Sequence, residues 1–240
     1  MQKVVEIKNL NFVYPDGKKA LYDIDMAIYK GESVGIIGPN GAGKTTLLLH
    51  LNGVLRGKGT VKVLGMEVND GNLRQIRSKV GLVFQDPDDQ LFCPTVFDDV
   101  AFGPLNLRLP EDVVRSRVKE ALQEVGLSGF ERRSPHHLSF GEKKRISLAT
   151  VLSMHPEVLV LDEPTSNLDP RARREQINLL KEIRITKIIA GHDLEMIFGL
   201  CGRIIILCGG RIVADGQAKE IIGDRELLEA NGLEVPFRRD

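Results

Sequence analysis

Residues 33 to 45 read SVGIIGPNGAGKT, an apolar run that leads directly into a glycine-rich turn. Gly38 to Thr45 match the pattern G-x-x-x-x-G-K-[ST] at every fixed position, and a helical pattern, TTLLLHLNGVL, continues from there. A buried strand before such a turn and a helix after it are the setting in which this pattern binds phosphate groups. The stretch therefore predicts an α/β fold built around a phosphate-binding loop.

The chemistry of this loop predicts ATP and Mg²⁺ as its ligands. Its glycines let backbone N–H groups converge on phosphate oxygens, and the start of the following helix adds a partial positive charge. We expect Lys44 to reach the β- and γ-phosphates and the Thr45 hydroxyl to ligate Mg²⁺. An accidental glycine-rich turn is the alternative, and the flanking strand and helix disfavour it. The residues expected to contact the nucleotide here are Gly38, Pro39, Asn40, Gly41, Ala42, Gly43, Lys44, Thr45 and Thr46.

Two acidic residues end a second apolar run, VLVLDEPT at residues 158 to 165. Ligand sites in open α/β sheets lie at the carboxyl ends of the strands. Asp162 is placed to hold the magnesium shell, and Glu163 to orient and deprotonate a water that attacks the γ-phosphate. The alternative is that both acids only cap the next helix.

Polar residues also follow two other apolar runs, Gln85 after VGLVF and His192 after KIIAG. We expect both at the same edge of the sheet. Gln85 is a candidate for binding magnesium or the attacking water, and His192 for contacting the γ-phosphate. Each is weak support alone, because a lone glutamine or histidine at a strand end is more often structural.

The pattern of apolar residues predicts how the rest of the chain is organised. LYDIDMAIY at residues 21 to 29 alternates as a half-solvated antiparallel strand does, whereas the later strands are almost wholly apolar, as in buried parallel sheets. CGGRIVADG at 208 to 216 predicts a Gly-Gly hairpin and a last short strand. Strand patterns disappear between 86 and 155, where helices are predicted at about 111 to 125 and 141 to 153. The buried strands are predicted at 33–37, 80–84, 158–161, 187–190 and 203–207.

We therefore predict one domain over residues 1–240. Its nucleotide-binding core, with an N-terminal antiparallel β part, comprises 1–85 and 156–216. A helical subdomain occupies 86–155, and a charged helical tail occupies 217–240.

Composition disfavours a nucleic-acid-binding, disulfide-rich, zinc-binding, secreted or membrane-spanning protein. Thirty-three basic residues balance thirty-three acidic ones, so no overall positive field gathers nucleic acid. The three cysteines lack C-x-x-C spacing, which disfavours a disulfide framework or a zinc site. The N-terminus MQKVVEIKNL lacks a secretory pattern, and no apolar run approaches the ~20 residues that span a bilayer. An intracellular protein whose membrane connection runs through a partner is expected.

Residues 138 to 142 read LSFGE, in which Ser139 and Glu142 have the spacing of a helix-capping box. A helix N-terminus also attracts anions, so the Ser139 hydroxyl and the Gly141 N–H are candidate phosphate donors. Together with the motifs above, this stretch resembles the signature of the ATP-binding subunits of ABC transporters, which usually reads LSGGQ. The resemblance covers nearly the whole chain, and the order and spacing of the motifs make it specific.

The resemblance implies how the protein works. In that family two subunits pack head to tail, and each signature binds the γ-phosphate of ATP held by the other subunit's phosphate loop. A homodimer, or a heterodimer with a homologous ATPase, is thus implied. Tyr14 resembles the family's adenine-stacking aromatic, although Phe12 and Tyr14 also fit a shared buried strand face. Asp169, in SNLD, resembles a residue that couples the two sites.

The signature departs from the usual pattern at two positions. Phe140 replaces glycine, which is tolerable if its side chain points away from the nucleotide. Glu142 replaces glutamine and brings a carboxylate near a phosphate, so we expect it to weaken dimer closure. The basic KKR at 143 to 145 is interpreted as a solvated helix face.

FQDPDDQLFCPTVFDDVAFGP, residues 84 to 104, resembles the energy-coupling-factor ATPases, including the cobalt and nickel importers, as does ELLEANGLEVP at 226 to 236. This resemblance implies a transmembrane coupling subunit, a substrate-binding membrane subunit, and a peripheral location on the cytoplasmic face of the membrane. Gln90, Leu91 and Phe92 are candidate relay positions, with ordinary helix packing as the alternative. The resemblance leaves the cargo open between a metal cation and a vitamin.

Two other functions remain open. A soluble ABC ATPase of DNA repair would carry a long heptad-patterned coiled coil between the phosphate loop and the signature, and the helical insertion here has neither the length nor the sustained repeat. A translation factor would usually join two such domains and is often basic, whereas this chain has one domain and is neutral. A phosphate-loop kinase for a small metabolite would leave LSFGE and SNLD unexplained.

Overall fold

The computed structural model describes residues 2–233, and these form two compact units. The first unit is made of the described residues of Met1–Arg77 and Arg184–Asp240, and the second of Ser78–Ile183. The strands are β1 Lys3–Val13, β2 Lys19–Tyr29, β3 Ser33–Ile37, β4 Lys58–Val63, β5 Met66–Glu67, β6 Val80–Val83, β7 Val158–Asp162, β8 Thr186–Ala190, β9 Arg203–Cys208 and β10 Arg211–Gln217. The helices are α1 Lys44–Leu51, α2 Leu73–Arg77, α3 Val96–Asn106, α4 Glu111–Glu124, α5 Phe140–Leu152, α6 Pro170–Glu182, α7 Leu194–Leu200, α8 Ala218–Gly223 and α9 Arg225–Ala230.

An antiparallel sheet with the order β2-β1-β4-β5 occupies the first unit. On β2, Ile24, Met26 and Ile28 are buried while Asp23 and Asp25 are exposed, so the predicted half-solvated strand is confirmed. β4 and β5 were not predicted. β4 is short, and lysine or threonine alternates in it with small and apolar residues. Its sequence therefore has a weak strand pattern, and pairing with β1 stabilises the strand.

In the first unit, β3 lies between β8 and β9 and pairs in parallel with both. All three are largely buried, and after their first one or two polar residues they are apolar, as predicted for strands covered on both faces. The chain then turns through Gly209 and Gly210, both with positive φ, and β10 returns antiparallel to β9. The predicted Gly-Gly hairpin is confirmed, since two consecutive residues with positive φ match the right-handed twist of paired strands.

Helices α1 and α7 pack against the strands of the first unit. α1 contacts β2 and β4 of the antiparallel sheet and also β8, and α7 packs on β3. The approach of α7 is close, because a Cβ atom at Gly35 would lie 2.4 Å from the side chain of Ile197. This packing holds β3 in place, and the phosphate loop begins where β3 ends.

The second unit contains β6 and β7, paired in parallel, together with the helices α3 to α6. α3, α4 and α5 pack on one another. The helices predicted at 111–125 and 141–153 are confirmed as α4 and α5 within one residue at each end. α3, which starts at a Thr95 cap and continues through Pro104, was not among the predicted helices of this segment. Pro104 has low helix propensity, and packing against α4 and α5 overrides it. Asp98 and Asp99 lie in the first turn, where acidic residues are favourable.

The strands β6 and β7 group with the helices, so the second unit is larger than the predicted helical subdomain at 86–155. The predicted subdomain boundaries stay a prediction. The tail contains α8 and α9, and its predicted continuation over residues 234–240, with the end of ELLEANGLEVP, lies outside the described residues. Within residues 2–233, no helix combines the length and apolar character needed to cross a bilayer.

Candidate functional site

The phosphate loop of the first unit requires glycine at two positions. Gly38 has φ 156°, and a Cβ atom there would lie 2.0 Å from the carbonyl oxygen of Leu207. Gly43 has φ 102°, and a Cβ atom there would lie 2.7 Å from the carbonyl oxygen of Ala20. No side chain fits either space without moving backbone atoms. The loop is thus held against β9 and β2 by close backbone contact.

The N-terminus of α1 has the electrostatics of an anion site. Its cap residue, Gly43, supplies no side-chain hydrogen bond, and no acidic residue occupies the first turn, so the positive end of the helix dipole is not offset. The buried Lys44 ammonium donates to the carbonyl oxygens of Gly38, at 2.7 Å, and Pro39, at 3.2 Å. Thr45 is exposed at the helix start. A cation and a helix N-terminus therefore meet within one loop.

Tyr14 is tied to the same helix. Its hydroxyl lies 2.9 Å from the Oγ1 atom of the buried Thr46, and its ring meets the Phe12 ring edge-on at 4.9 Å between centroids. β1 ends at Val13, so Tyr14 lies just beyond the strand that contains Phe12, and the interpretation that both residues share a buried strand face is not met although their rings are in contact. Tyr14 remains half-buried, and its adenine contact stays a prediction.

His192 lies at the same sheet edge as the phosphate loop. Ile36 pairs with Ala190, so Gly38 and His192 each follow a paired position by two residues. Gly191 N–H donates to the Ile36 carbonyl, which continues the pairing one residue beyond β8. His192 is exposed. Within the first unit, the structure brings the predicted histidine and the predicted loop to one edge.

Gln85, Asp162 and Glu163 share a sheet edge in the second unit. Val83 pairs with Leu161, so Gln85 and Glu163 each lie two residues beyond that pair. Gln85 is exposed, whereas Asp162 and Glu163 are buried. Glu163 has φ 45°, a left-handed conformation that costs a non-glycine residue about 1–3 kcal/mol and that clusters at functional sites.

The next helix, α6, takes its cap from another residue. The Asp169 carboxylate accepts from the N–H groups of Arg171 at 2.8 Å and Ala172 at 3.0 Å. The alternative in which Asp162 and Glu163 serve only as its cap is therefore disfavoured. Asp169 has a structural role as the N-cap, and its predicted coupling role stays a prediction.

The prediction that residues 143 to 145 form a solvated helix face is wrong. Lys144 is 1% exposed, and its ammonium donates to the carbonyl oxygens of Gln85 at 2.7 Å and Glu163 at 2.9 Å, and to the Ser166 hydroxyl at 3.2 Å. Lys143 pairs with Asp88, and Arg145 is half-buried. Burial lowers the pKa of Lys144 to about 8, against the opposing effect of nearby carboxylates, Glu163 first. A run of three basic residues gives no sign that its middle member is buried.

The signature stretch forms the predicted cap. Ser139 is the N-cap of α5: its Oγ accepts from Glu142 N–H, while the Glu142 carboxylate accepts from Ser139 N–H. Gly141 is close to α6, since a Cβ atom there would lie 3.2 Å from the Ala172 Cβ. Phe140 is half-buried, with the Lys144 ammonium 5.7 Å from its ring centroid. Ser139 is exposed, so the tip of α5 is open to a ligand.

The three candidate relay residues differ in their surroundings. Gln90 accepts from Phe84 N–H, and its amide donates to the Ser147 carbonyl and the Thr150 hydroxyl of α5. Leu91 is 4% exposed. Both therefore pack as the alternative interpretation predicts. Phe92, in contrast, is 63% exposed.

These features define a phosphate-loop nucleotide-binding protein of the α/β class, with acidic and amide side chains at strand ends. The family model for the ABC transporter matches residues 21–166. The energy-coupling factor transporter ATP-binding protein EcfA of Methanothermobacter thermautotrophicus is 50% identical over 243 aligned residues, covering 99% of this chain and 78% of the relative.

Solved structures agree with this similarity. CbiO1 of Clostridium perfringens, part of the ABC transporter complex CbiONQ, has a TM-score of 0.84 and 39% identity, with 98% of this chain and 97% of that chain covered. The ATP-binding cassette MJ0796, in a dimeric post-hydrolysis state with ADP and Pi, has a TM-score of 0.80 and 28% identity, with 89% of this chain and 98% of that chain covered.

The chain therefore belongs to the ABC transporter family. It is an ATP-binding, ATP-hydrolysing subunit of the energy-coupling type, similar to EcfA and CbiO. The predicted fold class is confirmed: a phosphate-loop α/β fold with an antiparallel N-terminal sheet and helices around parallel strands.

Proposed function

We propose that two such ATPase subunits, identical or homologous, clamp ATP between the phosphate loop of one and the signature of the other, and that this closure drives import of a small solute. The observation that carries the proposal is the exposed tip of α5, where Ser139 caps the helix. A helix N-terminus attracts anions, and the anion proposed here is the γ-phosphate of a nucleotide held by a second subunit. A signature with this geometry suits a second subunit's nucleotide.

The phosphate loop is proposed to hold the triphosphate, because the Lys44 ammonium is held inside the loop and no acidic residue offsets the N-terminus of α1. The residues proposed to hold Mg²⁺ are Thr45, Gln85 and Asp162, all with the oxygen atoms that this ion prefers. When bound, Mg²⁺ neutralises charge on the β- and γ-phosphates. Tyr14 is proposed to stack on the adenine, and Gly141 and Glu142 to lie near the γ-phosphate with Ser139.

Glu163 is proposed as the general base for hydrolysis. It orients the attacking water and takes its proton, a role worth typically ~10² to 10⁴ in rate. His192 and Lys44 contact the γ-phosphate, and Gln85 orients the water. Asp169 helps to couple the two sites across the dimer.

The test is a Glu163→Gln variant saturated with Mg²⁺ and ATP and analysed by light scattering. We expect slow hydrolysis and a stable dimer, because binding is retained while the base is lost. Glu111→Gln, at an exposed glutamate of α4, is the matched control and remains in the wild-type state. A monomeric Glu163→Gln protein at saturating nucleotide would contradict the clamp.

An apolar patch of the second unit is proposed as the membrane-subunit contact. Phe92, Phe102 and Leu105 are 63%, 50% and 56% exposed, and the two phenylalanine rings meet edge-on at 5.1 Å. Exposed patches of this kind mark interaction sites. The partners proposed are a transmembrane coupling subunit and a substrate-binding membrane subunit, with the ATPase peripheral on the cytoplasmic face. No nucleic-acid partner is proposed.

The cargo is proposed to be a metal cation, cobalt or nickel, or a vitamin. The supporting observation is similarity to EcfA and to CbiO1, the latter described as part of the CbiONQ complex. Copurification from native membranes, followed by mass spectrometry of the bound proteins, tests the partners, and uptake of radiolabelled cobalt, nickel or vitamins tests the cargo. Phe92→Ser should lose the membrane proteins, whereas Val54→Ser, at an exposed valine of the first unit, should keep them. Recovery of only ribosomes or DNA would contradict the transport role.

A further inference from the structure

The side chain of Lys144 is buried in a fully satisfied set of hydrogen bonds. An ammonium group has three N–H donors. Those of Lys144 have three acceptors, the carbonyl oxygens of Gln85 and Glu163 and the hydroxyl of Ser166, at 2.7 to 3.2 Å. The Ser166 hydroxyl itself donates to the Glu163 carbonyl at 2.9 Å. Lys144 thus fixes main-chain positions at two strand ends.

These acceptors belong to segments that carry proposed catalytic residues. Gln85 follows β6, and Glu163 follows β7 in a left-handed backbone conformation. Such a conformation persists only where surrounding contacts hold it. A hydrogen bond to the Glu163 carbonyl from a buried cation is a contact of this kind, and charge-assisted bonds are stronger than neutral ones.

Lys144 also belongs to the signature helix. It lies on α5, whose cap is Ser139, and its ammonium is 5.7 Å from the centroid of the Phe140 ring. α-Helices are rigid over so short a distance. Lys144 thus joins the helix that begins at Ser139 to the backbone of Gln85 and Glu163.

We infer that Lys144 is a positioning residue for ATP hydrolysis, which links the signature helix to the main chain of Gln85 and Glu163. It acts through these residues and does not touch the nucleotide. The inference rests on the proposed roles of Gln85 and Glu163. A neutral side chain of similar length fills the space but cannot hold the two carbonyl oxygens.

The test compares Lys144→Met with Lys143→Met in the purified full-length chain. Lys143 is its helix neighbour, and its ammonium pairs with the exposed Asp88. We expect Lys144→Met to lower kcat at least about tenfold while the dissociation constant for a fluorescent ATP analogue stays within about twofold, because the phosphate loop is unchanged. Lys143→Met should match the wild type in both. An unchanged kcat in folded Lys144→Met overturns the inference.

Three further variants keep the test decisive if Lys144→Met does not fold. Lys144→Arg keeps a charged group with several donors and should hydrolyse ATP faster than Lys144→Gln, which is neutral. Ser166→Ala removes one acceptor and should lower kcat without weakening nucleotide binding. Equal kcat values for the arginine and glutamine variants, or an unchanged kcat in Ser166→Ala, overturn the inference. Glu163→Gln separates the two proposals: if it hydrolyses ATP normally, the proposed base is wrong, whatever Lys144 does.

Discussion

The carboxylate of Glu142 accepts hydrogen bonds from both the hydroxyl and the backbone N–H of Ser139, at 2.7 and 2.8 Å. These bonds, the hydroxyl first, hold the pKa of Glu142 below its ordinary value, and the charges of Arg133 and Arg145 act in the same direction. The carboxylate is thus ionised at neutral pH. The hydroxyl proposed to bind a phosphate already donates to a negative charge at the same helix tip.

Glu142→Gln should therefore strengthen ATP-dependent dimerisation. The glutamine oxygen can still accept from Ser139 N–H, but the negative charge is removed and the hydroxyl is released more easily. We expect dimer affinity in the Glu163→Gln background to rise about tenfold, equivalent to about 1.4 kcal/mol. Sedimentation equilibrium with saturating ATP measures this.

Glu111→Gln is the control for that change, since Glu111 also lies in the first turn of a helix, α4, and is exposed. Its substitution should leave dimer affinity unchanged. Equal or weaker dimerisation in Glu142→Gln would show that the carboxylate does not oppose closure.

Gly38→Ala should destabilise the protein more than Gly41→Ala. The added Cβ would lie 2.0 Å from the Leu207 carbonyl oxygen, whereas at Gly41 no atom lies within 4 Å. We expect a loss of about 3 kcal/mol in the free energy of unfolding for Gly38→Ala, from overpacking. Gly41→Ala, with φ 79°, should lose about 1 kcal/mol from backbone strain alone. Urea denaturation measures both, and equal losses would contradict the close contact.

Tyr14→Phe and Tyr14→Ala separate the two contacts of this side chain. Stacking needs the ring, while the bond to Thr46 needs the hydroxyl. Tyr14→Phe should therefore keep ATP affinity and lose about 1 kcal/mol of folding stability. Tyr14→Ala should also weaken ATP binding, by about 1 kcal/mol or more. Isothermal titration calorimetry gives the affinity, and unchanged binding in Tyr14→Ala would remove the adenine role.

His50 should make folding stability depend on pH. Its Nδ1 lies 2.7 Å from the Thr46 carbonyl, and its buried Nε2 has no hydrogen-bond partner among residues 2–233. Burial lowers the pKa of His50 below its ordinary 6.5, against the opposing effect of the Thr46 bond. The unfolded chain then binds more protons, so stability is fully present above about pH 6.5 and falls as the pH drops below it.

Thermal unfolding between pH 7.5 and 5 tests this expectation. The decline in Tm on the acid side should be smaller in His50→Leu than in the wild type. His136→Leu, at an exposed histidine, is the control and should keep the wild-type decline. A His50→Leu protein with the same pH profile as the wild type would assign the acid loss to other groups.

Most of the fold could be predicted from local pattern, and the exceptions share a cause. The wholly apolar strands and the helices α4 and α5 follow from periodicity, and the hairpin follows from Gly209 and Gly210. β4 contains lysine and glycine and α3 contains Pro104, which are uncommon within a strand and within a helix, so the residues of these elements predict them poorly. Pairing with β1 stabilises β4, and packing on α4 and α5 stabilises α3.

The sequence by itself determined the phosphate loop, the acidic strand end and the Ser139 cap, because each is set by residues adjacent in the chain. Only the tertiary structure decided that Lys144 is buried and that Tyr14 bonds to Thr46. The acceptors of the Lys144 ammonium include carbonyl groups 59 and 19 residues away, and Thr46 is 32 residues from Tyr14. Burying a polar group costs free energy unless it forms hydrogen bonds. Because these partners are distant in the chain, the local sequence pattern does not show whether the bonds form.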